Sequence, residues 1–137
     1  MQKILTSGFA AGIVLLIVSY GLLTLAPTLL PILTDEYFNP AVFQTGNERS
    51  ILYFLHPFVL SFALAWFWER FKGLFHSSNF VWRGIELGLV YGLVATLPAM
   101  WITFSSMNVS MLMILSWLGY GVLQAIVAGI IHAKLNP

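Results

Sequence analysis

Residues 4–25 read ILTSGFAAGIVLLIVSYGLLTL, a run without one charged side chain. As a helix it rises about 33 Å, enough to cross the ~30 Å hydrocarbon core of a bilayer. Three further apolar stretches, 51–68, 84–104 and 109–131, approach the same length. The runs are continuous and not alternating, so helices that satisfy their own backbone groups are expected in place of barrel strands. Composition agrees. Of 137 residues, 59% are hydrophobic and 8% charged, with mean hydropathy +0.88, whereas a soluble domain carries about 25% charged residues. A small domain exposes too much surface to hide that deficit. The expected fold class is therefore an all-α membrane protein. It is one four-transmembrane-helix bundle, forming a single integral membrane domain over residues 1–137.

The lysines and arginines give an orientation. With the N-terminus inside, Lys3, Arg70, Lys72, Arg83 and Lys134 are cytoplasmic and only Arg49 is outside, a strong positive-inside bias. Both termini are then cytoplasmic, and a cell membrane, specifically a bacterial inner membrane, is the expected location. Trp66, Trp68 and Trp82 fall at the inner interface, with Tyr53, Trp101 and Phe104 toward the outer one, as an aromatic belt requires. The first run is longer than a signal-peptide core and no small-x-small cleavage site follows it, so a retained span is expected.

Between the spans, Ala26 to Pro31 stays apolar, but its two prolines argue against a regular helix there. The loop 34–50 carries the turn signals Asn39-Pro40 and Gly46-Asn47, and Asn47 or Ser50 is a cap candidate for the second span. The loop 69–79 mixes basic and aromatic residues as a headgroup-level segment does, and its Ser77-Ser78-Asn79 supplies caps for the third span. Only Ser105 to Asn108 separate the last two spans, which makes them antiparallel neighbours, a tight hairpin.

Gly84, Gly88 and Gly92 form a small-residue ladder on the third span; Gly121, Ala125 and Gly129 form one on the fourth. Gly8 and Gly12 add a pair on the first. Such faces let helix backbones approach closely where lipid supplies no hydrophobic force. They serve either packing within the chain or a homo-oligomer or partner interface. Pro57 and Pro98 fall inside spans, where each removes an amide hydrogen and displaces a carbonyl four residues earlier.

Candidate chemistry is sparse. His56 lies in the outer part of the second span, directly before Pro57. With Asp35, Glu36 and Glu48 from the outer loop it could form a proton relay, a metal site or a hydrolytic site. The alternative is a neutral imidazole hydrogen-bonded to backbone. Glu86 sits nearly opposite the glycine ladder and can pair with Arg83, Arg70 or Lys72. His76 and His132 are expected at the inner surface, where they could approach each other but are expected to be solvated, and the three histidines offer no bis-histidine pair across helices for a haem. Ser61, Thr96, Ser116 and Gln124 are expected to make interhelical hydrogen bonds. Met107, Met111 and Met113 suit packing better than soft-metal binding. No motif calls for a cofactor or a metal. The absence of cysteine excludes disulfides, thiolate metal sites and thiol redox chemistry. No basic run is long enough to bind nucleic acid, and membrane lipids are the expected partners.

The stretch from Leu55-His56-Pro57-Phe58 through Trp66-Phe67-Trp68, then Arg83-Gly84 and Gly88 to Pro98, resembles small four-span bacterial membrane proteins of uncharacterised activity. Length and span number also resemble the small multidrug resistance transporters. Those carry an essential carboxylate in the first span, which residues 4–25 lack, so their mechanism does not carry over. The leading expectation is a non-enzymatic accessory or interaction protein. Its alternatives are a small transporter or lipophile-binding protein, with a cavity between the second and third spans reached by His56 or Thr96, and an outer-face membrane enzyme using His56 and the loop carboxylates.

Overall fold

The computed structural model describes residues 1–43 and 50–137, without the side chain of Ser50. Its elements are α1 (Gln2–Leu29), a 3-10 turn (Pro31–Leu33), α2 (Thr34–Tyr37), α3 (Ser50–Phe71), α4 (Phe80–Tyr91), α5 (Leu97–Ser106) and α6 (Met111–Leu135). A π-helical turn, Gly92–Thr96, joins α4 to α5. Four helical segments are long and apolar enough to cross a membrane: α1, α3 with its following turn, the α4–α5 unit and α6. Much of their apolar surface faces outward, with Ile17, Val59, Val94 and Trp101 all exposed. An exposed apolar surface of this extent suits lipid and not water.

One proline expectation needs correction. α1 does not stop before Pro27 but runs through it to Leu29; a spanning helix tolerates the missing amide hydrogen because neighbouring groups re-satisfy the freed carbonyl. It ends at Leu30, whose φ of −133° and ψ of 63° leave the helical region, as the residue before Pro31 is biased to do. Pro98 directly follows the π-turn, in which the Leu97 amide donates to the Gly92 carbonyl. Widening the turn there absorbs the carbonyl that proline displaces. Helix ends also depart from the ends of the apolar stretches, because caps set them. The Asn79 side chain accepts from the Val81 amide at 2.8 Å, and the Ser110 hydroxyl accepts from the Met113 amide at 3.1 Å.

Two helix pairs dominate the packing, α4 on α6 and α1 on α3. Gly84, Gly88 and Gly92 meet Ile130, Ile126 and Val122, so α4 and α6 run antiparallel. A Cβ on Gly84 would lie 2.6 Å from the Ile130 Cα, and one on Gly129 2.7 Å from the Gly84 carbonyl oxygen. Gly121 faces Thr96. On the other pair, Gly8 and Gly12 receive the rings of Phe62 and Phe58. Ala125 and Ala128 of α6 join Ala11, Leu15, Leu60 and Leu64 in the core between α1, α3 and α6. Thus α6 offers glycine to one neighbour and alanine to the others.

The two ends of the bundle differ. At the cap end, Leu33 packs with Val109, Met113 and Ile114, and Phe43 sets its ring edge-on to Trp117 at 5.9 Å. At the basic end, buried Trp68 donates through Nε1 to the Asn136 carbonyl at 2.7 Å. Lys72 Nζ donates to Asn136 Oδ1 at 2.8 Å, and Asn136 Nδ2 to Glu69 Oε2 at 2.6 Å. Trp68 therefore does not join the interfacial belt expected of it, whereas Trp66 and Trp82 are exposed. Its indole N–H finds a buried carbonyl, which removes the reason for a Trp to stay at the wet interface.

Candidate functional site

α1 and α6 meet midway along their lengths through three polar side chains. Tyr120 donates its hydroxyl proton to Ser19 Oγ at 2.6 Å, and Gln124 Nε2 donates to Ser19 Oγ at 3.1 Å and to the Tyr120 hydroxyl at 2.8 Å. Ser19 passes its own proton to the Leu15 carbonyl at 2.7 Å. Tyr120 and Gln124 are four apart and share a helix face, so one serine serves both. All the hydrogen-bonding capacity of the Ser19 hydroxyl is used within the cluster.

From this polar floor toward the cap end, α1 and α6 border a half-open cavity of about 330 Å³. Its walls are the Ser19–Leu29 side of α1 and the Leu115–Leu123 side of α6, and Leu30, Leu33–Phe38 and Tyr53 complete it. The volume lies at the lower end of small-molecule sites, and the mix of a mostly apolar wall with a few polar groups is typical of them. Phe43 stacks on Tyr37 at 5.5 Å and meets Trp117 edge-on, holding two of the cavity's aromatic rings in place. Gly119 opens onto the same space, and a Cβ there would meet nothing within 4 Å.

The cavity is not where the sequence placed it. It lies between the first and fourth spans, not the second and third, and neither His56 nor Thr96 lines it. The glycine contacts explain the shift: α4 is drawn onto α6 and α3 onto α1, so the second and third spans, which carry Pro57 and Pro98, are not close partners.

The outer-corner residues do not converge either. His56 and Asp35 are exposed. Glu36 is committed elsewhere: its Oε1 accepts from the Ser110 amide at 2.6 Å and its Oε2 from the Ser110 hydroxyl at 2.7 Å. A carboxylate at the N-terminus of α6 meets the positive end of the helix dipole. Glu48, with Asn47 and Arg49, lies outside the described residues. Among the described residues no three His, Asp or Glu side chains gather to hold a metal.

Glu86 is exposed and, among the described residues, forms no ion pair; the pair found is Glu69 with Lys72 at 3.4 Å. Its expected partner Arg83 instead donates to the Lys72 carbonyl at 3.1 Å and lies over the Trp68 ring at 4.8 Å. His132 also departs from expectation. It is fully buried, not solvated, and neither ring nitrogen finds a hydrogen-bond partner among the described residues. One turn separates it from Ala128, and one turn separates Ser7, whose hydroxyl is likewise buried and unpartnered, from Ala11. The shared core of Ala11 and Ala128 thus sets both groups at one level of the bundle. Sequence reasoning singled out Gln124 but missed Ser19 and Tyr120. Their signal was available: Ser19 is a polar position deep in an apolar run, and Tyr120 precedes Gln124 by one turn.

No family model, curated protein or solved structure matches the chain.

Proposed function

We propose that the protein is a non-enzymatic, lipophile-binding membrane protein that holds its ligand between the first and fourth spans, in a binding or transport role. The cavity above the Ser19–Tyr120–Gln124 cluster carries this reading. The small-residue faces weigh on the same side. Gly84, Gly88, Gly92 and Gly129 are engaged within the chain, as are Gly8 and Gly12, so these ladders are not left over for a partner. The outer-face enzyme loses Glu36 to α6.

Gly119→Phe tests the reading, because a Cβ built at this cavity-lining position meets nothing within 4 Å and leaves room for a ring that fills the cavity. The purified variant should keep its helicity and thermal stability while binding of a long-chain alcohol, followed by native mass spectrometry, weakens by about tenfold or more, the ligand losing its room. Unchanged binding in a folded variant would sink the cavity as the site.

The bundle sits with both termini in the cytoplasm, and a bacterial inner membrane fits the charge bias. Lys72, Arg83 and Lys134 share the basic end, and the loop carrying Asp35 and Glu36 shares the cap end with Ser110. Because the chain has no cysteine, single replacements report sidedness cleanly. In intact cells an impermeant maleimide should label Asp35→Cys, and Lys3→Cys only after permeabilisation. The reverse pattern would invert the topology.

A further inference from the structure

We infer that the cavity selects an uncharged lipophile with an oxygen-bearing head, such as an alcohol, ketone or ester, and that the ligand enters sideways from the bilayer; this rests on the binding reading above. The polar side chains lining the space are neutral. Apart from the Trp117 indole they are all hydroxyls, carried by Ser19, Thr34, Tyr37, Tyr53, Ser116 and Tyr120. Among the described residues no Asp, Glu, Lys, Arg or His lines it. A carboxylate or ammonium head would therefore leave water without a counter-charge, which a low-dielectric site resists strongly.

Hydroxyl groups can donate as well as accept, so an oxygen that needs one hydrogen bond is served where an ion is not. The Ser19 hydroxyl is saturated by Tyr120, Gln124 and Leu15, and the Ser116 hydroxyl donates to the Met113 carbonyl at 2.7 Å. The phenol of Tyr37, toward the cap end, is the group placed to meet the head, since that of Tyr53 lies within hydrogen-bonding reach of Tyr120. Leu23, Leu115 and Leu123 line the same space and are each partly open to the outside of the bundle. The apolar tail therefore has a way out between α1 and α6 into lipid.

A matched set of probes with one chain length separates the claims: alkane, primary alcohol, methyl ketone, fatty acid and alkyltrimethylammonium, titrated at neutral pH against the purified protein by native mass spectrometry. The alcohol and ketone should bind, with the acid and the ammonium at least about tenfold weaker. In Tyr37→Phe the advantage of alcohol over alkane should shrink by about tenfold, the worth of one hydrogen bond, with alkane binding unchanged. If the acid or the ammonium matches the alcohol, and Gly119→Phe abolishes both, the charge selectivity is overturned while the cavity stands. If no probe binds the folded protein, or Gly119→Phe leaves all binding intact, the cavity reading itself falls.

Discussion

Gly88→Ile should unfold the bundle at a markedly lower denaturant concentration than the parent protein. The Cβ it adds would lie 2.8 Å from the Ile126 amide nitrogen and 2.9 Å from its Cα. Both are backbone atoms, so no rotamer change relieves the overlap, and the two helices must separate along a seam that also carries Gly84 against Ile130 and Gly92 against Val122. Overpacking of this kind costs about 3 kcal/mol or more when backbone must move. Without a hydrophobic force between helices in lipid, lost close packing is not made up elsewhere. Equilibrium unfolding by sodium dodecyl sulfate, followed by circular dichroism, reads the change. Gly119→Ala, where the added atom meets open space, should sit within about 0.5 kcal/mol of the parent, as unstrained surface changes do. A Gly88→Ile chain of parental stability that merely dissociates from a second copy would show that this face joins chains.

Trp68→Ala is expected to be comparably severe, by a different route. The indole is fully buried, stacked on Phe75 with ring centroids 5.4 Å apart, overlain by Arg83, and bonded to the Asn136 carbonyl. Truncation removes this volume from the basic end and leaves a buried carbonyl without its donor. Large-to-small changes of this kind cost about 3–5 kcal/mol. Trp68→Phe keeps most of the volume but not the N–H, and should cost about 1–3 kcal/mol, the penalty of one unsatisfied buried group. The same unfolding titration orders the three proteins. If Trp68→Ala and Trp68→Phe proved equally mild, the basic end would be held by its charged groups, and the indole would be incidental.

The spans were legible because an uninterrupted apolar run has one physical solution in a bilayer. Asn79 was legible as a cap because an extended Asn before a helix has its acceptor at hand. Glycine spacing pointed to close faces on α1, α4 and α6, yet the partner of each face depends on the shapes of Phe58, Phe62, Ile126 and Ile130, which no single-chain pattern encodes. The cavity was misplaced for that reason: prolines were read as its makers, whereas it arises where α1 and α6 part above Ser19. Glu36 illustrates a second limit. Its neighbour Ser110 is 74 positions away in the chain, and a carboxylate in a loop looks the same whether it caps a distant helix or serves a histidine. His132 shows a third, because nearness to a span's end suggested water whereas its ring is fully buried in the bundle.

The two glycine seams also impose an order on biosynthesis. Chains emerge N-terminal end first, so α1 and α3 can settle against each other through Gly8 and Gly12 while the rest is still being made. The α4–α5 unit has no such early companion, since its close partner is α6. Until α6 leaves the ribosome, the grooved side of α4 faces lipid or the insertion machinery, and the cavity between α1 and α6 does not yet exist. The cavity and the completed bundle therefore arrive together, with the last of the four spans.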